Sequence, residues 1–131
     1  MRYILTAAFM ALAPMAQAQE RLTAQEFEDY VTGKTLMYGF SGQAYGGEDY
    51  LENRRVRWSF LDGRCKSGHW YPEDGNICFV YEDNDSPQCW SFYVRGNGLV
   101  AQFENNPEYQ ELYEVGEADE PLLCYGPDVG V

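Results

Sequence analysis

Apolar and polar positions alternate most cleanly at the start of the stretch Arg54–Phe103. Val56, Trp58 and Phe60 interleave with Arg55, Arg57 and Ser59, and Asp62-Gly63 follows. Alternation with a period of two marks a half-buried strand. Asp-Gly suits the two left-handed positions of a tight hairpin. Three further reversals follow, at Asp74-Gly75, within Glu82–Pro87, and at Gly96-Asn97-Gly98. The stretch therefore predicts five antiparallel strands joined by four turns. A two-residue first turn pairs Phe60 with Cys65 and Trp58 with Ser67. It puts Arg55, Arg57, Arg64 and Lys66 together on one face. The second turn sets Trp70 near Phe79 and Tyr71 near Cys78. Pro72 lacks a ladder donor and predicts a bulge or an edge. The third turn sets Cys78 opposite Cys89, although Pro87 fits that register poorly. The fourth aligns Trp90, Phe92 and Val94 with Ala101 and Phe103.

Outside this meander, Thr23 and Glu26 have capping-box spacing, with Leu22 and Phe27 at the staple positions. Phe27, Tyr30 and Val31 share a helical face, and Gly33 is a stop signal. Such a helix is too short to persist alone, so it must dock. Lys34–Phe40 predicts a first strand. Ser41–Asp49, with Gly42, Gly46 and Gly47, reads as a loop. Glu104–Glu120 holds seven acidic residues and no basic one; Leu112–Val115 within it fits a strand or a helical turn. Leu122–Tyr125 reads as a last strand.

Residues Met1–Ala18 stand apart from the fold. Arg2, the apolar run Tyr3–Met15 and the small-x-small triplet Ala16-Gln17-Ala18 have the three parts of an export leader. The apolar run is too short for a membrane span. Residues 19–131 then form a single domain in a periplasmic or secreted setting. Four cysteines in an exported chain predict two bridges. Cys78–Cys89 and Cys65–Cys124 are the favoured pairs among three connectivities. No C-x-x-C pair is present and His69 is the only histidine, which argues against zinc. The fold class expected is α+β: a short N-terminal helix packed on an antiparallel meander sheet or small barrel, with two disulfides.

The formal charge of −12 disfavours nucleic acid and anionic lipid. Against that background the basic cluster Arg54, Arg55, Arg57, Arg64 and Lys66 stands out. Arg forks suit carboxylates and other anions. Arg55, Arg57, Arg64 and Lys66, beside Trp70, are therefore the candidate binding residues, for a small ligand or an acidic protein partner. The alternative is that Glu104–Glu120 folds across and neutralises them. His69 near Ser67 and acidic residues matches no nucleophile motif. Asp83-Asn84-Asp85 lacks the remaining positions of a calcium loop. Neither a catalytic residue nor a cofactor motif is recognisable.

Aromatic residues make up 16 % of the chain, too many for one face of a small sheet. Either the sheet curls into a lined interior that admits a small apolar ligand, or the helix covers its second face.

The pattern Arg54-Arg55-Val56-Arg57-Trp58-Ser59-Phe60, Gly63-x-Cys65, Gly68-x-Trp70, Ile77-Cys78 and Gln88-Cys89-Trp90 resembles small exported β-rich proteins of alphaproteobacteria. The resemblance spans about Thr23–Cys124. It implies a periplasmic location and carries no functional residue across. The function expected is non-catalytic binding, of which inhibition of a secreted enzyme is one form. The alternatives are a small hydrolase using His69 with a carboxylate, and a structural envelope protein.

Overall fold

The computed structural model describes residues 20–125. The expected leader at 1–18 and the end after Tyr125 lie outside the described residues. Eight antiparallel strands follow one helix: α1 (Ala24–Val31), β1 (Thr35–Phe40), β2 (Gln43–Tyr50), β3 (Arg55–Ser59), β4 (Lys66–Glu73), β5 (Asn76–Tyr81), β6 (Asn84–Arg95), β7 (Gly98–Phe103) and β8 (Leu112–Ala118). Each strand pairs with the next, and β8 pairs back onto β1. The sheet is thus a closed up-and-down barrel, not an open sheet with a helix lying on it. Closure explains the surplus of rings, because a barrel buries one face of every strand around a common interior.

The helix stands at one end of the barrel. Thr23 and Glu26 form the capping box reciprocally. Phe27 is fully buried and its ring meets Tyr50, Trp70, Phe79 and Phe92, with centroids 4.5–5.7 Å away for three of them and 6.4 Å for Phe79. Backbone bonds tether both helix ends, from Leu22 to Phe92 and from Gly33 to Tyr50. The Tyr30 hydroxyl donates to Glu114 of β8 at 2.8 Å. Burial, then that carboxylate, pushes its pKa up to about 12. Phe27 and Val31 therefore plug the barrel.

The meander has the five strands and four reversals expected. Asp74-Gly75 is a two-residue turn with both φ positive, and the Trp70–Phe79 and Tyr71–Cys78 pairs follow from it. Pro72 lies beyond the last β3 partner of β4, His69, so it sits on a local edge. Cys78 faces Cys89, and a register shift between Phe79 and Tyr81 accommodates the Pro87 side. At the fourth turn the loop is Gly96-Asn97, with Arg95 opposite Gly98; Trp90, Phe92 and Val94 face Phe103, Ala101 and Leu99. Both bridges are as favoured, Cys65–Cys124 and Cys78–Cys89.

Three elements differ from expectation. The first turn is longer than two residues: Leu61 and Gly63 both adopt positive φ, and Trp58 pairs with Lys66, not Ser67. A one-residue slip exchanges the two faces of a strand, so Lys66 points inward with Trp58 while Arg55 and Arg57 point outward. The Gly-rich segment is not a loop but most of β2. A Cβ at Gly46 would collide with the Trp58 indole, and one at Gly47 with Leu122 and Met37. The glycines are spaces for neighbouring side chains. Residues 121–125 form no strand. They run as an extended strap along the outer wall, held by Leu122 N–H to Asp49 and by the Cys65–Cys124 bridge. The acidic segment splits between a loop and β8, which completes the ring.

Candidate ligand-binding cavity

Alternation along the strands fixes what the interior contains. From β1 come Tyr38 and Phe40, and from β2 Glu48 and Tyr50. The next strands add Trp58, Lys66, Phe79 and Tyr81, and the last three Trp90, Phe92, Ala101, Phe103 and Leu112. These residues, with Tyr45, Phe60, Gln88, Tyr109 and Gln110, line a cavity of about 380 Å³. That is within the size range of small-molecule sites. The helix closes one end. At the other end Phe60 is 49 % exposed and Tyr109 60 %, and Phe40, Tyr45, Trp58 and Phe60 form a chain of ring contacts.

Two buried hydrogen-bonded pairs are set into this largely apolar wall. The Tyr38 and Tyr50 hydroxyls bond to each other at 2.8 Å. Glu48 is 1 % exposed. Its Oε1 accepts from the Tyr81 hydroxyl at 2.8 Å, and its Oε2 has no partner. Desolvation pushes the Glu48 pKa well above the ordinary range, partly offset by the Tyr81 bond. Burial likewise raises all three tyrosines, so they remain donors.

The next residue shows how this fold treats a buried carboxylate elsewhere. Asp49, 2 % exposed, points to the outer side beneath the strap. It accepts from Thr35, from Leu122 N–H, and twice from Arg57 at 2.7 and 2.9 Å. Four donors serve Asp49; one serves Glu48.

A buried polar atom without a partner costs about 1–3 kcal/mol. That gives a prediction for Glu48→Gln. In the unfolded chain Glu48 ionises near its ordinary value of 4.5, while in the fold it stays protonated to higher pH. As pH rises above 4.5, the unfolded chain loses its proton first and stability falls, until folded Glu48 also ionises. Glutamine removes this loss. Urea unfolding from acid to mildly alkaline buffer should show the variant gaining on the parent by about 1.4 kcal/mol for each pH unit between the unfolded and the folded ionisation of Glu48, and little in acid. A gap independent of pH contradicts the assignment.

The structure does not gather the basic candidates on one surface. Arg55 is exposed on the outer wall, and Arg57 is occupied by Asp49. Arg64 lies in the β3–β4 loop. Lys66 alone faces the cavity. Its ammonium lies 3.4 Å from Asp83 and 5.3–5.5 Å from the Tyr81 and Phe60 ring centroids. Trp70 is buried at the plugged end, against Phe27 and under the Arg54 guanidinium; Arg54 also pairs with Glu28. His69 is exposed on the outer wall beside Tyr71. Among the described residues no hydrogen bond or ion pair links it to a carboxylate.

Sequence reasoning did not single out Glu48, Tyr38 or Tyr50. Glu48 falls in Gly46-Gly47-Glu48-Asp49-Tyr50, whose alternation is invisible because the inward positions are glycine, acid and tyrosine. Only the Trp58 register reveals them, since Trp58 lies directly opposite Glu48. Among the described residues no helix is long and apolar enough to cross a membrane. Comparisons with protein families, with curated proteins and with solved structures found no match.

Proposed function

We propose that this protein is a non-catalytic binder of a small, largely apolar molecule, held inside the barrel, and that it works after export. The observation that carries the reading is the cavity: closed at the Phe27 end, ringed by aromatics at the other, and lined by a buried carboxyl with an oxygen to spare. An eight-stranded barrel has an interior just wide enough for side chains or for one small ligand. Here the side chains leave space for the ligand. Two disulfides and the leader pattern at Met1–Ala18 support an oxidising compartment.

The test uses a neutral aryl fluorophore, N-phenylnaphthylamine. Uptake should raise its emission and quench Trp58 and Trp90. Ala101 lies in the wall, so Ala101→Phe fills space the probe needs and should weaken binding at least about tenfold, the equivalent of 1.4 kcal/mol. Methyl shifts provide a check that needs no variant: Ala101 and Leu112, which line the cavity, should move on titration, and the exposed Leu61 and Leu123, which do not line it, should not. Absence of uptake, or movement of only the exposed methyls, rejects the proposal.

A further inference from the structure

The cavity's polar endowment narrows what it takes. Glu48 is the only acid and Lys66 the only base among the lining residues. Glu48 is deep, held at one oxygen by Tyr81 and without a partner at the other. The fold satisfies Asp49 with four donors but leaves Glu48 Oε2, on a residue that lines the cavity, without one. That oxygen fits a donor carried by the ligand.

The surroundings favour a charged donor. Trp58 stands beside Glu48 across the β2–β3 ladder. Tyr81 stacks nearly parallel with Phe79, with ring centroids 6.3 Å apart. Faces of such rings attract ammonium groups. The chain already places one ammonium in this setting: Lys66, near the Tyr81 and Phe60 rings. Asp83 offsets its charge at the mouth. An anionic ligand could meet Lys66 there, yet its body would approach Glu48, and the chain's charge of −12 opposes its entry.

We infer that the ligand is a small organic cation, a protonated amine on an apolar body of about one or two rings, with its N–H on Glu48 Oε2 and its body against Trp58, Phe79 and Tyr81. The inference rests on the interior-binding reading and adds the chemical class. Binding exchanges one partner for another at Glu48: the carboxyl gives up its proton to solvent and the ammonium takes that place. The groups that face Glu48 or bear on it are Tyr81 from β5, Lys66 from β4, Tyr38 from β1, and Tyr50 and Asp49 on its own strand. Asp83 acts through Tyr81. The three tyrosines remain protonated, which leaves Glu48 as the source of the proton.

Three probes of nearly equal shape decide it: phenethylammonium, phenethyl alcohol and hydrocinnamate, titrated calorimetrically into the full domain at neutral pH. The ammonium should bind at least about tenfold more tightly than the alcohol, and hydrocinnamate most weakly. Glu48→Gln should abolish the preference for the ammonium while the alcohol still binds. Calorimetry of the parent protein in buffers of different ionisation enthalpy should show proton release with the ammonium and none with the alcohol, a readout that needs no variant. Equal binding of ammonium and alcohol, tightest binding of hydrocinnamate, or a preference that survives Glu48→Gln overturns the inference. If N-phenylnaphthylamine enters the cavity and the ammonium has no advantage, interior binding stands and the cation class falls. If no probe enters, both fall.

Discussion

Phe27→Ala should destabilise the protein by about 3–5 kcal/mol, the usual cost of deleting a fully buried phenylalanine. The ring is 0 % exposed and touches one aromatic from each of four strands: Tyr50, Trp70, Phe79 and Phe92. The helix that carries Phe27 spans only eight residues and has little stability of its own. Removing the plug therefore removes the helix's reason to dock. The loss is a large share of the roughly 5–15 kcal/mol that holds an average domain together. Urea unfolding followed by tryptophan emission measures it. A loss under about 1 kcal/mol would show that the capping box and backbone tethers hold the helix without the ring. The variant should also open the plugged end, so the neutral fluorophore should leave faster even where its affinity survives.

Converting Cys65 and Cys124 to alanine should cost about 4 kcal/mol, because that bridge closes a loop with a sequence separation of 59 and loop entropy grows with length. The Cys78–Cys89 bridge, with a separation of 11, should be worth about 3 kcal/mol by the same reasoning. The two cases also differ in kind. Cys78 and Cys89 join strands that are already paired. Cys124 belongs to the strap, which has no ladder of its own and is otherwise held by the Leu122 contact, the Asp49 bond and the Tyr125 bond to Gly63. Without the bridge the strap is free to leave, uncovering Asp49. Denaturant midpoints for the two double variants test the order of the costs; the reverse order contradicts it. Fluorophore affinity should change little in the Cys65/Cys124 variant, since the strap lies outside the wall.

These effects trace back to features of very different legibility. The turns at Asp74-Gly75 and within Gly96-Asn97-Gly98, the capping box at Thr23 and Glu26, and the Cys78–Cys89 pairing are legible because each is local or follows from a turn register. The Cys65–Cys124 bridge is the pairing left over once Cys78 faces Cys89. What could not be read depends on contacts between strands far apart. Gly46 looks like loop chemistry until the Trp58 indole is placed over it. Lys66 looked like part of an outer basic face because Asp62-Gly63 has the composition of a two-residue hairpin, while the chain makes a longer excursion through Leu61. One added residue in that turn moved Lys66 from the wet face to the mouth of the cavity. Glu48 is one acid among twenty-one acidic residues, and nothing but the closed geometry distinguishes it. The excess of rings on both faces of the middle strands was the one sequence signal that bore on the interior.

Closure has a further consequence for how the molecule lives among its neighbours. A sheet bent into a ring has neither first nor last strand, so the described residues offer only short lengths of bare amides for another chain to extend. The ring is closed by pairing β8 with β1 near the start of the domain, and on its other side β8 meets β7 at only two positions, Val100–Tyr113 and Ala101–Leu112. A chain that has formed β1 to β7 but not yet received β8 carries two sticky margins at once. The hazard of misassembly is greatest for a chain in which that strand has not yet paired, and the segment that follows β8 is pinned to the wall by Cys124.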